Sequence, residues 1–253
     1  MKLKIMNIFN KCLAVTIMGI SFIGSAQQIQ TDRPNETENP GTITPHRLQV
    51  ESGFSFEKED DEKTFNVPEI VFRYGIFKNA EIRVETALKA LDQENTDKQF
   101  GIEPVKIGAK YHILDHKGIA IPDLALLARV SIPWMADNAY KEEKYSPEIR
   151  LLAQNTLSKT WHLGYNLGVQ WLPENLQPEY IYTLSADHSL SKKCKVFVEA
   201  YGFTEAHHHA DNSADAGVLF VITQNLQLDF MAGTGIMHSP SKKFAEVGVS
   251  LRI

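Results

Sequence analysis

Apolar and polar residues alternate along most of this chain. In residues 80–91, AEIRVETALKAL, Ile82 and Val84 share one parity, whereas Glu81 and Arg83 share the other. Strict alternation of this kind predicts a β-strand with one apolar and one polar face. The pattern recurs and predicts twelve strands, at about residues 46–57, 65–75, 80–91, 104–114, 121–133, 147–157, 161–171, 179–189, 195–203, 214–223, 226–235 and 243–253.

The lengths of these strands and of their connections indicate a transmembrane barrel. Strands of about ten residues are long enough to cross a bilayer at a tilt. Long polar connections such as residues 133–147, PWMADNAYKEEKYSP, alternate with short ones such as residues 224–225, QN. Long loops at one end and short turns at the other are typical of outer-membrane barrels. The sequence therefore predicts an all-β fold, an antiparallel up-and-down transmembrane β-barrel of about 12 strands.

A soluble secreted β protein is the alternative fold, because β-sandwiches also alternate apolar and polar residues. Their strands average about five or six residues, however, and a sandwich has no reason to sort its loops by length. The barrel is therefore the preferred interpretation. It places the protein in the outer membrane of a Gram-negative bacterium, in contact with lipid. An even strand count leaves both termini on the periplasmic side.

The first 26 residues resemble a secretory signal peptide. Three lysines precede an apolar run over residues 12–23, and small residues end at Ala26. This arrangement predicts cleavage after Ala26, and the run is too short for a spanning helix. Cleavage changes the net charge from −5 to −8, which argues against a nucleic-acid partner, and it leaves Cys194 as the only cysteine, so no internal disulfide can form.

The remaining chain divides into an extended lead segment, residues 27–45, and the barrel, residues 46–253. Many charged residues of the barrel fall on the inward parity. They either define a polar path and its selectivity or pair across the lumen and fill it, and their mixed signs favour pairing over a single-sign filter. These predicted lumen-lining residues are Arg47, Glu51, Arg73, Glu81, Arg83, Glu85, Lys106, Lys110, Arg129, Arg150, Glu199, Asp229, Glu246 and Arg252.

Three consecutive histidines, His207, His208 and His209, form the most evident candidate metal site. They share a long loop with Glu205 and Asp211, and imidazoles with carboxylates bind zinc or copper. Three adjacent side chains cannot all point at one ion from a regular backbone, however. A solvated external loop is therefore the preferred interpretation, and we predict neither a metal nor another cofactor.

An outer-membrane lipid hydrolase is the enzymatic alternative. It would need a serine and a histidine together near the outer rim, on the lipid side. His188 has the lipid-facing parity but is close to the short-turn end, and Ser185 and Ser189 point inward. The chain also lacks a G-x-S-x-G motif. We therefore predict no catalytic residues and no enzyme.

Several stretches resemble one family of outer-membrane barrels, described as transporters of the meta-cleavage pathway of phenol degradation. They are TDRPNET (31–37), LQVESGFSF (48–56), VFRYGIFKNAEIRV (71–84), KIGAKY (106–111), SADAGVLFVIT (213–223) and LQLDFMAGTG (226–235). The resemblance covers nearly the whole mature chain and implies aromatic or other small apolar cargo. One barrel architecture can nevertheless serve unrelated functions.

The lead segment has two interpretations, a plug inside the lumen or a periplasmic tail. The plug is favoured, because Asp32, Arg33 and Pro34 belong to the family resemblance and a free tail would not need a specific motif. Asp32 and Arg33 would then pair with lumen charges. At the other end, outer-membrane barrels commonly finish with an aromatic residue that the assembly machinery recognises, whereas this chain ends in Ile253.

These observations predict a channel or transporter for the passive passage of small molecules. No nucleotide site or other means of energy coupling is visible in the sequence. The alternative is a closed structural barrel, or one that binds a ligand or partner without transport.

Overall fold

The structure is a computed structural model that describes residues 28–93, 96–116, 118–239 and 241–253. The predicted signal peptide, residues 1–26, lies outside the described residues. The described residues form antiparallel strands: β1 (Leu48–Glu59), β2 (Glu62–Phe77), β3 (Ala80–Gln93), β4 (Gln99–Ile102), β5 (Val105–Leu114), β6 (Asp123–Ile132), β7 (Ser146–Thr156), β8 (Trp161–Trp171), β9 (Pro178–Ser191), β10 (Cys194–Glu205), β11 (Asp211–Thr223), β12 (Leu226–Ile236) and β13 (Lys243–Arg252).

Sequential strands pair with their neighbours, and the last strand closes onto the first. In the closing pair, Gln49 of β1 lies opposite Arg252 of β13. Strand β3 pairs with β5 over residues 80–85 and with β4 over residues 88–91. Strands β4 and β5 therefore act as one barrel strand. Counted in this way, the closed barrel has twelve strands. The predicted fold class, an up-and-down β-barrel of about 12 strands, is confirmed.

The interruption between β4 and β5 was not predicted. Residues 92–101 have the composition of a polar loop, and the pattern placed the fourth strand at residues 104–114. In the structure residues 99–102 extend the sheet along β3. Pro104 follows and has no backbone N–H to donate to the hydrogen-bond ladder of the sheet. The barrel strand formed by β4 and β5 is therefore interrupted at this residue.

The two faces of the barrel have opposite character. Apolar side chains point outward, as with Leu167, which is 63% exposed, while the adjacent Asn166 is 1% exposed and points inward. In the same way Ile82 is 45% exposed and Glu81 is fully buried. An apolar outer face over a polar interior suits lipid outside the barrel. The described residues contain no helix long and apolar enough to cross a membrane.

Most connections are sorted by length between the two ends of the barrel, with two exceptions: the β1–β2 turn at residues 60–61 is short, and the β5–β6 connection at residues 115–122 is long. The β6–β7 connection runs from residue 133 to residue 145, whereas the β11–β12 turn contains only Gln224 and Asn225. We call the two ends the long-loop end and the short-turn end. Strand β1 starts at the short-turn end, so residues 28–45 approach the barrel interior from there.

Candidate functional site: the barrel interior and its lead segment

Residues 28–45 fold into the barrel interior as a loop, which the Asn39 side chain closes by donating to the Thr31 carbonyl at 2.7 Å. Near its start, the Ile29 amide donates to the Gln224 carbonyl in the β11–β12 turn at 3.0 Å. Near its end, the Ile43 amide donates to Glu81 Oε2 on β3 at 2.8 Å. Between these points, Asp32 and Glu38 are 7% and 5% exposed. The lead segment therefore crosses from one side of the barrel to the other, with its acidic side chains enclosed.

Asp32 contacts three cations of the β2, β3 and β5 wall. Its Oδ2 lies 3.0 Å from Arg73 Nη1, 3.2 Å from Arg83 Nη1 and 2.8 Å from Lys110 Nζ. Arg73 also pairs with Glu51 at 2.7 Å and with Glu81 at 2.8 Å. Because every charge of this cluster has an opposite partner, the cluster can be buried without an isolated ion.

Glu38 extends the ionic network toward the long-loop end. Its carboxylate lies 2.5 Å from Arg83 and 3.1 Å from Arg129. Arg129 also pairs with Glu85 at 3.0 Å and with Glu148 at 2.9 Å. One arginine thus joins the lead segment to carboxylates on two wall strands.

Arg33 points toward three carboxylates on β2, β12 and β13. Its Nη2 lies 2.9 Å from Glu246 Oε2 and 3.7 Å from Asp229 Oδ1, and its Nη1 lies 3.5 Å from Glu69 Oε2. The guanidinium is only 8% exposed. The lead segment therefore places its carboxylates against wall cations and its guanidinium against wall carboxylates.

Two paired glycines leave the space that Arg33 occupies. Gly53 of β1 lies opposite Gly248 of β13. A Cβ atom at Gly53 would collide with the Arg33 guanidinium, and one at Gly248 would come within 2.7 Å of Arg33 Nε. A side chain at either position would displace the arginine, so glycine is needed here for close approach.

Wall side chains also bind the backbone of the lead segment. Glu51 Oε2 accepts hydrogen bonds from the amides of residues 32 and 33, both at 3.1 Å. Glu199 accepts from the amides of residues 36 and 37, at 2.9 and 2.6 Å. Asn166 exchanges two hydrogen bonds with the backbone of Glu38, at 2.8 and 3.0 Å. These contacts satisfy backbone groups that an extended chain leaves unpaired.

The lead segment stands between two cavities. A cavity of about 620 Å³ opens toward the short turns and is lined in part by Thr160, Lys192 and Gln227. A second cavity, of about 350 Å³, lies toward the long loops beside Glu69 and Lys106. Residues 32, 33, 35 and 38 line both cavities. The segment is therefore the partition between the two ends of the lumen.

The family model described as "Putative MetA-pathway of phenol degradation" matches residues 31–253. The chain belongs to this family. The match begins within the lead segment, so it includes Asp32 and Arg33, which contact wall cations and wall carboxylates respectively. No curated protein sequence matches the chain significantly.

Solved structures of outer-membrane barrels share the fold of this family member at low sequence identity. An outer membrane channel from Pseudomonas putida F1 matches with a TM-score of 0.67 and 10% identity, over 87% of this chain and 99% of that chain. The KdgM porin, solved in complex with disordered oligogalacturonate, gives 0.56 and 8%, over 79% and 98%. The translocator domain of the autotransporter NalP from Neisseria meningitidis gives 0.53 and 12%, over 84% and 90%.

In this family member, most of the charges assigned to the lumen by parity meet in one network around the lead segment. Lys106 lies outside that network, beside the long-loop cavity. Arg47 and Arg252 lie at the short-turn rim, where Arg47 Nε donates to the Ile253 carbonyl at 2.7 Å and Arg252 Nη2 donates to the Gln224 carbonyl at 3.2 Å. Parity alone gives the face of a strand but not the depth along it. The network contains Glu51, Arg73, Glu81, Arg83, Glu85, Lys110, Arg129, Arg150, Glu199, Asp229 and Glu246.

The sequence analysis missed several members of this network. Glu148 and Glu69 pair with arginines on the inner side, and Glu148 shares the inward parity of Arg150, which would have identified it. Glu36, which pairs with Arg150 at 2.7 Å, and Glu38 lie in the lead segment, where no period indicates which way a side chain points.

The inner wall also has an apolar region. Phe197, Leu219, Met231 and Phe244, from β10 to β13, form a buried cluster against which Tyr201 packs. Phe197 and Leu219 line the short-turn cavity. The interior therefore offers apolar contact beside the charged network.

The triple histidine and His188 lie away from the interior network. His208 pairs with Glu205 at 3.7 Å, while His209 stacks on His238 with ring centroids 4.2 Å apart. His188 stacks on Trp161, whereas Ser185 Oγ accepts a hydrogen bond from Asn35 inside the barrel. His188 and Ser185 thus lie on opposite faces of β9.

Proposed function

We propose that this protein is an outer-membrane channel for the passive passage of small molecules and that its lead segment acts as the plug. The observation that carries the proposal is the position of residues 28–45 between two cavities, one toward each end of the barrel. A barrel that only anchors or binds a partner has no need of two cavities divided by a chain segment. Membership of a family named for phenol degradation supports transport of small organic molecules.

The short-turn cavity suits a small cargo that has both apolar and polar groups. Its volume of about 620 Å³ falls within the range of roughly 300–1,000 Å³ that is common for small-molecule sites. Phe197 and Leu219 supply apolar contact, and Ser185 supplies a hydroxyl. Lys159, Lys192 and Lys195 add positive charge to the lining of the same cavity.

The proposed orientation of the barrel in the membrane follows from export and from the even number of barrel strands. The chain would enter the outer membrane from the periplasm, with lipid against its apolar face. The short turns and both termini would remain on the periplasmic side, and the long loops would face outward. Strand β13, which ends the barrel at Arg252, would be the element that the barrel-assembly machinery recognises.

Planar-bilayer recording tests the channel and its plug together. Deletion of residues 28–38 should raise single-channel conductance, because it removes the partition and leaves the barrel strands intact. Alanine at His207, His208 and His209, in the external loop, is the matched control and should leave conductance at the wild-type level. Neutral solutes in a liposome-swelling assay should enter faster through the deletion variant.

Two outcomes would contradict the proposal in different ways. If the wild type and the deletion variant are both silent and exclude neutral solutes, the barrel is closed and binds or anchors without transport. The many ion pairs between the lead segment and the wall are the observation that favours this alternative. If both conduct equally, the channel stands and the plug does not.

A further inference from the structure

Two histidines and two aspartates converge at the short-turn end, at the connection between β5 and β6. His112 Nε2 lies 3.0 Å from Asp115 Oδ1 and 3.9 Å from Asp123 Oδ1. His116 Nδ1 lies 3.2 Å from Asp123 Oδ2. No strand of the channel wall needs these four side chains together, since the β5–β6 pairing is made by the backbone. Their convergence therefore calls for its own explanation.

The spacing of these atoms fits a tetrahedral transition-metal site. Zinc binds imidazole nitrogen and carboxylate oxygen at about 2.0–2.2 Å, so neighbouring ligand atoms in a tetrahedral site lie about 3.4 Å apart. The separations of 3.0 and 3.9 Å from His112 Nε2 bracket this value. One ligand atom from each of His112, Asp115 and Asp123 lies within 4.8 Å of the others, and no other group of three or more potential ligands among the described residues meets this condition. His116 lies outside this compact group and approaches it through Asp123 Oδ2, so it would complete the site as a fourth ligand from the turn.

The orientation of His112 is the second and independent observation. Its Nδ1 lies 3.1 Å from the Pro40 carbonyl, which can only accept a hydrogen bond, so Nδ1 carries the proton. The other ring nitrogen, Nε2, then faces the carboxylate oxygens of Asp115 and Asp123 and is the nitrogen available to a metal ion. Metal-binding histidines generally donate their remaining N–H to a carbonyl or carboxylate in this way.

The local backbone supports the convergence. The register of the β5–β6 pair shifts between His112 and Leu114, and such bulges change the direction in which a side chain points. Asp123 is the first residue of β6 and has the parity of the buried Ala125 and Leu127. His112 and Asp123 therefore approach each other from neighbouring strands, and Asp115 and His116 close the group from the turn.

We propose that His112, Asp115, His116 and Asp123 form a binding site for a divalent transition metal of the zinc class. Two imidazoles with two carboxylates favour zinc, nickel or copper over magnesium or calcium, which prefer oxygen ligands alone. The Pro40 carbonyl connects the site to the lead segment, so a bound ion also holds the end of that segment at the barrel rim. This inference does not depend on the proposed transport function.

Zinc titration of the detergent-solubilised barrel tests the site, with calorimetry as the readout. The protein should be purified without a polyhistidine tag, and the background should carry H207A, H208A and H209A, because that external loop is the competing source of imidazoles. We expect one zinc ion per chain in this background. The substitutions His116→Ala and Asp123→Asn should each weaken zinc binding by roughly tenfold or more. Magnesium chloride should give no binding heat.

His116 is 47% exposed, so its substitution leaves the fold intact and keeps the test informative if a variant of His112 fails to fold. Thermal unfolding gives a second readout, since an ion that binds the folded barrel raises its unfolding temperature. Zinc should stabilise the triple-alanine background but not the same background with H116A. The proposal is overturned if zinc binding disappears with the loop histidines, if it survives both His116→Ala and Asp123→Asn, or if no zinc binds.

Discussion

Replacement of Arg33 by methionine should release the lead segment from the wall carboxylates. Methionine keeps an unbranched side chain but removes the charge that lies between Glu246, Asp229 and Glu69, at 2.9, 3.7 and 3.5 Å. With the segment docked, these acids would be covered without a cation. With the segment released, water in the lumen would solvate them. The substitution therefore acts on the docking equilibrium of the segment rather than on the folding of the barrel.

The structure indicates the size of this effect. Removal of one partner from a buried ion pair costs about 3–5 kcal/mol. Glu69 is 41% exposed and Asp229 is beyond hydrogen-bonding distance from the guanidinium, so the lower end of the range applies here. A loss of about 3 kcal/mol lowers the docking constant roughly a hundredfold. In a channel that opens when the segment undocks, the frequency of opening rises by a comparable factor.

Single-channel recording at fixed salt and voltage is the assay, and Arg47→Met is the matched control. Arg47 undergoes the same chemical change, but its guanidinium binds the Ile253 carbonyl at the rim, so opening should stay at the wild-type frequency. Gly53→Leu provides a second route to the same state, because a side chain at Gly53 fills the space of the guanidinium. The double variant R33M/G53L should open little more than R33M, since both changes remove one interaction.

Equal opening frequencies in the wild type and in R33M would refute this reasoning, provided that both barrels insert and conduct. The same result for Gly53→Leu would show that the contact between Arg33 and the paired glycines does not hold the segment in place. If Arg47→Met opens as often as R33M, the effect comes from the loss of any arginine and not from docking.

Three other predictions address the membrane, the selectivity and the export of the protein. Leu167→Arg should lower folding yield in lipid vesicles, because a charge on the lipid face costs about 2–4 kcal/mol near the bilayer midplane. Gln170→Arg, on the inner face of the same strand, should fold normally, and equal yields would argue against a lipid-facing Leu167. Lys106→Glu should shift the reversal potential toward cation selectivity in a salt gradient, and an unchanged potential would remove Lys106 from the ion path. N-terminal sequencing of the exported protein should begin at Gln27, and a start before Ala26 would contradict the predicted cleavage.

The sequence was informative wherever a structural feature depends on local alternation. The inward position of Glu81 and Arg83 and the outward position of Ile82 follow from parity, because a strand directs successive side chains to opposite faces. Closure of the last strand onto the first follows from the strand count and the need to satisfy every edge in lipid. The division of one barrel strand into β4 and β5 could not be predicted from the sequence, because residues 99–102 are too few to show a period.

The interior network depends on contacts that no local pattern encodes. Arg33 and Glu246 are 213 residues apart in sequence, and the lead segment has no period that would indicate the orientation of its side chains. The depth of a charge along its strand is also not encoded in parity, which is why Arg47 was assigned to the lumen although it lies at the rim. The site around His112 escaped notice for a related reason, since its ligands meet only when β5 and β6 pair.

The charge pattern of the lead segment matches the asymmetry of the barrel interior. The wall from β2 to β7 holds the cations that contact Asp32 and Glu38, whereas two of the three acids that contact Arg33, Asp229 and Glu246, lie on β12 and β13 and the third, Glu69, lies on β2. Buried ion pairs add little net free energy, because the cost of removing two charges from water nearly cancels their attraction. Their orientation requirement is strict, however, since a reversed segment would place like charges together. In the proposed channel, a segment held in this way would be specific in its position without a large net gain in free energy, and a gate that opens without an energy source requires both properties.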